Sequence, residues 1–368
     1  MLYLPVRLLR VQSESKGTGD PTLDRNFNCD NFGEGITMNA RNFMRRPIVR
    51  LGWLLFGLLL PSQFVGAGEI RLGVLKFGTV NWELDAMVHN GFAEAEGVDL
   101  TIVALANKLA TSVALQSGDV DMIVTDWIWV SRQRAAGADF TFAPYSAAVG
   151  ALMVPPDSTI KNLSDLAGKR VGIAGGPVDK SWVLFKALAK ARYDLDLDQQ
   201  VERVFGAPPL INQQVLSGGV DAAVNFWHYN ARLKAAGLRE VVAVAGTAAA
   251  LGIVDSVPML GYAFSASWAE DHHEDVIGFL KASRTTKALL AQSTTQWQRL
   301  RPRMKAAEDA VFEALIAGYR TGIPAHWGTE ERRAAANLFA VMAKAGGKRL
   351  VGDSLSLAPG TFWADWSF

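Results

Sequence analysis

The sequence predicts an α/β protein with two lobes, each built on a parallel-type sheet, that face each other across a central cleft. Three observations support this prediction. Apolar runs typical of buried strands alternate with segments of helical spacing, and one thirteen-residue pattern occurs twice. Two further segments, near 150–156 and 253–260, are suited to carry the chain between the lobes as hinge strands.

The first lobe begins with a strand–helix–strand–helix–strand order. Gly97 ends the first helical segment, and Asn107 can cap the second helix, which extends to Gln116. This order predicts a parallel sheet with right-handed crossovers. The predicted strands are 69–75, 98–105, 121–125, 140–145 and 150–154, and the predicted first helix is 82–96.

A second cycle starts with NLSDLAGKRVGI at 162–173 and continues through the glycine-rich loop Gly175-Gly176-Pro177 into a helix that ends near Arg192. The pattern after residue 270 is helical, with Pro302 and Pro324 as breaks. We therefore predict that lobe 1 comprises 68–152 and 258–368 and that lobe 2 comprises 153–257. The remaining predicted strands are 171–174, 201–205, 220–225, 241–245 and 259–264, and the late helices are 270–291, 303–320 and 329–345.

The repeated pattern reads LQSGDVDMIVTDW at 115–127 and VLSGGVDAAVNFW at 215–227, and each copy is followed by an Arg and an AAG triplet. Each copy predicts a helix end, a glycine turn, a short strand and a Trp that opens the next helix. Ligands of open α/β sheets bind beyond the carboxyl ends of the strands. We therefore expect Trp127 and Trp227 to form paired walls of one site in the cleft.

The N-terminal region combines three arginines after Met44, an apolar run at 51–60 and a small-residue site at Val65-Gly66-Ala67. These features are typical of a secretory signal peptide, which we assign to 38–67. Residues 1–37 fit neither a signal peptide nor a fold, so we interpret them as an incorrectly assigned start or a disordered extension. The protein is then expected to be periplasmic.

Composition narrows the function further. The only cysteine, Cys29, precedes the predicted mature chain, which needs no disulfide. The mature chain is nearly neutral, so the sequence does not indicate a nucleic-acid partner. It also shows no carboxylate or histidine cluster at metal-ligand spacing, and we expect neither a cofactor nor a metal. We expect a monomer.

Taken together, these motifs resemble those of a known family. The export signal, the first strand leading to Trp82, the LQSGDVD turn, and DLAGKRVG followed by a glycine-rich loop resemble the NMT1/THI5-like solute-binding proteins of ABC importers for nitrate, taurine, alkanesulfonates and thiamine precursors. This resemblance implies a type II periplasmic-binding fold that captures a small molecule in the cleft. It also implies delivery to an ABC permease and its ATPase.

The resemblance places the ligand contacts on the loops that follow strands. In this sequence the implied residues are Phe77, Trp82, Asn107, Asp126, Trp127, Gly175, Gly176, Asp179, Asn225 and Trp227. Oxyanion-binding members carry small hydroxyl residues at the glycine-rich loop, whereas this chain has Asp179 there. Asp126 and Asp179 therefore favour a ligand that carries an amine or other hydrogen-bond donors. The flat faces of the Trp side chains suit a ligand that is planar or aliphatic.

Two alternatives remain open at this stage. In the first, Asp126 only caps the helix that begins at Trp127, and Asp179 only complements the dipole of the helix after Pro177. In the second, the backbone N–H groups of Gly175-Gly176 hold an anion with the help of Lys180 or Lys76. The rival function classes are a thiamine-pyrimidine-synthase-like enzyme on the same fold and a periplasmic ligand sensor. His228, beside Trp227, is the only histidine whose position suits chemistry, and we predict no catalytic residue.

Overall fold

The computed structural model describes residues 68–253 and 257–368. The predicted signal peptide at 38–67 and the segment 1–37 lie outside the described residues, as does the middle of the second predicted crossing. Across the described ranges, no helix combines the length and apolar character that spanning a bilayer requires.

The first sheet confirms the predicted strand–helix alternation. Its order is β2-β1-β3-β10-β4, with β1 parallel to both β2 and β3 and with β10 antiparallel to β3 and β4. Strand β1 pairs with β2 over its entire length and buries most of its apolar side chains. The strands are β1 (Gly68–Leu75), β2 (Val98–Leu105), β3 (Met122–Asp126), β4 (Phe140–Ser146) and β10 (Leu260–Ser265).

The second sheet repeats this arrangement. Its order is β7-β6-β8-β5-β9, again with three parallel strands followed by an antiparallel strand. Position by position, β6, β7 and β8 correspond to β1, β2 and β3, and β5 corresponds to β10. The strands are β5 (Ala151–Val154), β6 (Arg170–Ala174), β7 (Glu202–Gly206), β8 (Ala222–Asn225) and β9 (Arg239–Ala243).

The chain crosses between the sheets at 147–150 and at 244–259. All of β5 belongs to the second sheet, and it begins at Ala151, two residues before the predicted start of lobe 2 at 153. The reason is that Gly150 approaches the second sheet closely, since a Cβ there would lie 2.3 Å from the carbonyl oxygen of Asn225. The second crossing begins with helix α9 (Val244–Ala250) rather than with a strand.

Several helices that follow strands begin at a capping residue or a proline. Asn107, Asp126 and Asp179 each accept a backbone N–H in the first turn of the following helix, and Pro208 opens another helix. The first eight helices of the described chain are α1 (Val80–His89), α2 (Phe92–Ala95), α3 (Lys108–Ser117), α4 (Trp127–Ala135), α5 (Lys180–Tyr193), α6 (Leu197–Gln200), α7 (Pro208–Leu216) and α8 (Trp227–Ala235). A 3-10 turn at Leu163–Leu166 precedes β6.

The C-terminal helices differ from their predicted bounds because side-chain caps start new helices. Ser265 and Ser293 each accept a backbone N–H. Pro302, predicted as the break before a helix at 303–320, instead lies inside the helix that Ser293 caps, two residues before its end. The last helix continues past 345 through a non-helical Gly347. The helices are α10 (Ala266–Asp271), α11 (His273–Gln292), α12 (Thr294–Met304), α13 (Asp309–Thr321) and α14 (Thr329–Val351).

The sequence repeat has a structural explanation. In both copies the glycine after the helix has a positive φ, +77° at Gly118 and +74° at Gly218. The Asp of each copy then accepts the backbone N–H of an arginine on the neighbouring parallel strand, Arg71 of β1 for Asp121 and Arg170 of β6 for Asp221, both at 2.7 Å. The repeat therefore joins β3 to β1 in the first sheet and β8 to β6 in the second.

A buried ion pair holds the helices of lobe 1 together. Glu83 of α1 is fully buried, and its two oxygens accept hydrogen bonds from Lys287 Nζ at 2.5 and 2.6 Å. Ser283, Tyr262 and Tyr319 donate to the same carboxylate at 2.6, 3.2 and 2.6 Å. Every one of these donors comes from β10, α11 or α13, so Glu83 joins α1 to three distant elements. No sequence signal pointed to this residue.

We expect Asp121 to contribute more stability than its counterpart Asp221. Asp121 also accepts hydrogen bonds from Arg71 Nε and Nη2 and is largely buried, whereas Asp221 is exposed. Asp121→Ala should lower the free energy of unfolding by about 2–3 kcal/mol and Asp221→Ala by about 1 kcal/mol. Urea denaturation measures both, and equal losses would contradict the asymmetry.

Removal of the Glu83 carboxylate should be among the most damaging changes in lobe 1. Glu83→Ala leaves Lys287 as an uncompensated buried charge, at a cost of about 3–5 kcal/mol in the free energy of unfolding. Tyr319→Phe deletes one donor of the same network and should cost about 1 kcal/mol. The two variants can be compared by chemical denaturation, and a Glu83→Ala loss no larger than that of Tyr319→Phe would show that the network is unimportant.

Candidate functional site

The carboxyl ends of the strands in both sheets lead into helices whose first turns meet between the lobes. Asp126 ends β3 and caps α4, and Asp179 caps α5 after the glycine-rich loop. Asp126 Oδ1 accepts the N–H of Trp129 at 3.0 Å, which leaves Oδ2 free for another partner. Capping and a second role are therefore compatible in the same carboxylate.

An ion pair joins the lobes at this position. Lys180 Nζ, in the first turn of α5, donates to Asp126 Oδ2 at 2.7 Å. The Lys180 side chain is 30% exposed and the Asp126 side chain is 8% exposed, so the pair is shielded from water mainly on the Asp126 side. The interaction links the end of β3 in lobe 1 to the start of α5 in lobe 2.

The surrounding charges determine the titration of this pair. Burial alone would raise the pKa of Asp126, but the charges of Lys180 and Lys108 and the hydrogen bonds that it accepts bring its pKa below the ordinary value. Burial would likewise lower the pKa of Lys180, but Asp126 raises it above the ordinary value. Both groups are therefore charged at neutral pH.

Asp179 and Lys108 lie beside this pair, but neither has an opposite charge close enough to offset the shift in its pKa. Burial raises the pKa of Asp179, and the N–H of Trp182, which donates to its Oδ1 at 3.1 Å, offsets this only in part. The positive charge of Lys180 lowers the pKa of Lys108, whose side chain is nevertheless exposed at the edge of the cluster. Both shifts disfavour the charged form of the group. Two aspartates and two lysines thus form one cluster, which we call the cleft cluster.

The glycine-rich loop forms the lobe 2 side of the cleft cluster. Gly175 and Gly176 have φ values of +85° and +101°, a conformation that favours glycine. A Cβ on Gly175 would lie 3.6 Å from Cζ of Phe226 and 3.7 Å from Oδ2 of Asp179. Phe226 lies in the segment 225–227, where β8 ends and α8 begins, at the position that corresponds in the repeat to Asp126.

Two of the residues implied by the resemblance lie on exposed loops of lobe 1. Phe77 is 76% exposed, with Lys305 Nζ 4.9 Å and Lys76 Nζ 5.6 Å from its ring centroid. Asn107 is exposed and caps α3 through Ala110, directly before Lys108. Their roles toward a ligand stay predictions.

The prediction that Trp127 is a wall of the cleft is wrong. Its side chain is 0% exposed and packs 6.3 Å from the Phe339 ring and 6.0 Å from the Phe362 ring. Trp127 Nε1 donates to the carbonyl oxygen of Pro258 at 3.1 Å. The reason is that α14 covers the start of α4, so this copy of the repeated Trp enters the core.

Asn225 is also a structural residue. Its Nδ2 donates to the Pro208 carbonyl oxygen at 2.8 Å and to Asn212 Oδ1 at 2.7 Å, and its Oδ1 accepts the N–H of Phe226 at 2.8 Å. The side chain is 1% exposed. Its hydrogen-bonding groups are occupied within lobe 2, which contradicts its predicted contact with a ligand.

Trp82 and Trp227 come together, but their rings pack against each other. Their ring centroids lie 5.9 Å apart at 86°, and Trp82 makes a second edge contact with Trp297 at 6.3 Å. A Cβ on Gly318 of α13 would lie 2.8 Å from Cε3 of Trp227, so this glycine permits close packing of α8 on α13. The pair is an apolar contact between the lobes in which Trp82 is buried and Trp227 is half-buried.

His228 is unsuited to proton transfer at neutral pH. Burial, with a contribution from Arg232, lowers its pKa to about 4. Its Nδ1 is buried and has no hydrogen-bond partner among the described residues. In the part of the chain that the structure describes, no group of three or more His, Cys, Asp or Glu side chains is arranged to hold a metal ion.

An open groove of about 450 Å³ lies elsewhere, between α12 and α13. Trp297 and Phe312 line it, with Arg301, Glu313 and Arg320 among its charged residues. Arg301 is already bonded to Asp309 at 2.6 Å. We place the candidate site at the cleft cluster instead, because that cluster lies at the strand ends and contains residues from both lobes.

Comparison with known proteins agrees with this architecture. The sequence profile of the NMT1/THI5-like family matches residues 87–293, more than half of the chain. No curated protein sequence matches this chain.

Several solved structures share the fold. The periplasmic aliphatic sulphonate binding protein SsuA from Escherichia coli is 19% identical, with a TM-score of 0.64 over 80% of this chain and 97% of that one. The alkanesulfonate-binding protein SsuA from Xanthomonas axonopodis pv. citri, bound to MOPS, is 18% identical, with a TM-score of 0.62 over 81% and 98%. At such identities the similarity shows the fold alone.

The two copies of the repeated Trp should respond differently to truncation. Trp127→Ala removes a fully buried ring and should lower the free energy of unfolding by about 3–5 kcal/mol. Trp227→Ala removes a half-buried ring from an edge contact and should cost about 1–2 kcal/mol. Chemical denaturation measures the difference. A Trp127→Ala variant with wild-type stability and impaired ligand binding would restore the original prediction.

Proposed function

Because the chain belongs to the NMT1/THI5-like family, we propose that it is the substrate-binding component of an ABC importer and that it captures a small polar solute between its two lobes. The ion pair between Asp126 and Lys180 is the observation on which this proposal rests most directly. It joins the ends of two topologically equivalent lobes at the position where α/β sheets bind ligands. The similar SsuA structures from two bacteria support the same role.

The proposal includes a location and partners. A protein that begins near Gly68 after removal of a signal peptide would act in the periplasm as a monomer. It would deliver its solute to a membrane permease that a cytoplasmic ATPase drives. Ligand binding between lobes selects the closed form only through contacts with both lobes, and the cleft cluster offers such contacts through Lys108 of lobe 1 and Asp179 of lobe 2.

A binding role accounts for the site better than an enzymatic one. The histidine nearest to the site, His228, is a weak base because its pKa is lowered to about 4. The cleft cluster consists of two aspartates and two lysines, and such a set of charges suits recognition of a polar solute. We therefore assign no chemical step to this site.

A cognate solute should stabilise the mature protein. A ligand at 100 times its Kd adds about 2.7 kcal/mol, which raises the melting temperature by roughly 5 °C for a chain of this size. A thermal-shift screen of amines, amino acids, pyrimidines, sulfonates, carboxylates and nitrate tests this, followed by calorimetry and small-angle scattering. The radius of gyration should decrease at saturation.

Lys180→Met should reduce the response to the cognate solute, since it removes the charge that joins α5 to Asp126. Lys281→Gln, an exposed lysine on α11, serves as the control and should respond like wild type. If no solute in the screen raises the melting temperature or alters the scattering of the wild-type protein, the solute-binding proposal is wrong.

A further inference from the structure

Gly68, the first residue of β1, lies directly against a carboxylate from another element. A Cβ on Gly68 would stand 2.0 Å from Cγ and Oδ1 of Asp275 and 2.2 Å from Oδ2. No side chain can occupy that space while Asp275 keeps its position, so residue 68 has to be glycine. Gly68 N lies within about 4.5 Å of Asp275 Oδ1, since the nitrogen and the Cβ position of one residue are about 2.5 Å apart.

The close approach of α11 to the start of the sheet holds this carboxylate in place. A Cβ on Gly278 of α11 would lie 2.7 Å from the carbonyl oxygen of Glu96 and 3.1 Å from Cγ2 of Val98. Val98 is the residue with which Gly68 pairs. The helix therefore crosses the ends of β1 and β2 in close contact, and Asp275, in its first turn, meets the first residue of β1.

Asp275 has a partner on only one of its oxygens. Its Oδ2 lies 3.2 Å from His272 Nδ1, and the His272 ring stacks on Trp268 with centroids 4.9 Å apart. Among the described residues no donor is bonded to Oδ1, although the Asp275 side chain is only 25% exposed. A carboxylate that is largely withdrawn from water gains from a cationic donor at its second oxygen.

The sequence places a processing site at the same residue. The small-residue motif Val65-Gly66-Ala67 ends directly before Gly68, and signal peptides are cleaved after such motifs. Hydrolysis of this peptide bond by a signal peptidase consumes one water and leaves a carboxylate on Ala67 and an ammonium group on Gly68. One N–H of that ammonium group can keep the bond to the carbonyl oxygen of Gly97, which is 3.1 Å long, and another can reach Asp275.

We infer that Gly68 is the N-terminal residue of the mature protein and that Asp275 binds its α-ammonium group, with the carbonyl oxygen of Gly97 as the second acceptor. This inference goes beyond solute binding and shares with the proposed function only the removal of a signal peptide. The ion pair can form only after cleavage, so it stabilises the mature protein and not its precursor.

The charges around this position also favour an ammonium group. All but one of the charged or titratable side chains nearest to Gly68 along β1, β2 and α11 are acids, and acids stabilise a neighbouring cation. These residues are Glu69, Glu96, Asp99, His272 and Glu274.

The mature N-terminus can be determined directly. The complete chain is expressed with its own export signal, and the masses of the periplasmic protein and of its N-terminal peptide are measured. A mature chain that begins at Gly68 is expected. A chain that begins at any other residue overturns the inference, because the nitrogen that lies next to Asp275 would then remain in a peptide bond.

Two forms of the mature protein, one beginning at Gly68 and one extended by Ala67, test the role of Asp275. The extra residue moves the ammonium group about 3.8 Å along the chain. At pH 7 the α-amino group of the Gly68 form should react with an acylating reagent about ten times more slowly, because the ion pair raises its pKa above the ordinary value. The pH of half-maximal reaction should rise too, which steric shielding alone does not cause. Mass spectrometry of the N-terminal peptide measures the rates.

Variants of α11 identify the carboxylate that is responsible. Asp275→Asn should abolish the difference in half-maximal pH between the two forms. Glu274→Gln changes the neighbouring acid, which is 92% exposed, and as the control it should preserve the difference.

The ion pair should also appear in the stability of the protein. A pKa that is raised in the folded state stabilises the fold below the unfolded-state pKa, and this stabilisation is lost as the pH rises through the folded-state pKa. The Gly68 form should therefore melt roughly 2–3 °C above the Ala67-extended form at pH 7, and the difference should vanish by about pH 11.

The outcomes are independent of the cleft. An equal half-maximal pH in the two forms, or a difference that survives Asp275→Asn, overturns the inference. The comparison of the two forms needs no substitution, so it decides the question even if Asp275→Asn does not fold. The solute screen tests the proposed function separately, because none of these measurements involves a solute.

Discussion

Each sheet of this protein depends on one antiparallel strand that only a crossing between the lobes can deliver. β10 lies between β3 and β4, and β5 lies between β8 and β9. Without these strands, the backbone N–H and C=O groups along β3, β4, β8 and β9 would lack partners. Since the chain must cross twice to complete its sheets, the ends of β3 and of the β6–α5 loop meet, and Asp126 can reach Lys180.

The Glu83 network and the cleft cluster are two groups of charged side chains with different roles, the first structural and the second proposed for binding. Around Glu83 every oxygen has donors, from one lysine, one serine and two tyrosines, so the network is complete and holds α1 against the C-terminal helices. A satisfied buried network of this kind stabilises and specifies one packing. The cleft cluster contains one complete ion pair. Its other two charged residues have no ion-pair partner among residues 68–253 and 257–368, and such incomplete compensation is what a binding site can offer a polar solute.

The aromatic residues of the repeat also have different environments in the two lobes. Trp127 and Trp227 occupy equivalent positions in equivalent units, but α14 covers Trp127 and α13 packs against Trp227. The C-terminal helices break the symmetry of the two lobes, and therefore equal sequence patterns have unequal environments. Phe226 rather than either Trp lies against the glycine-rich loop, at the position where the first lobe has Asp126.

The sequence by itself determined the local structure and the architecture. Apolar periodicity, glycine turns and caps such as Asn107 act over a few residues, and they predicted most strands to within two residues and the two-lobe fold from its repeat. It also placed Asp126, Asp179 and Gly175 at strand ends. Tertiary structure alone decided that Asn225 and Trp127 are structural and that Lys180 pairs with Asp126 across the lobes. The physical reason is that burial, charge compensation and the covering of a face depend on partners distant in the chain, and no local pattern encodes them. The partner is 17 residues away for Asn225, 54 for Asp126 and 131 for Trp127.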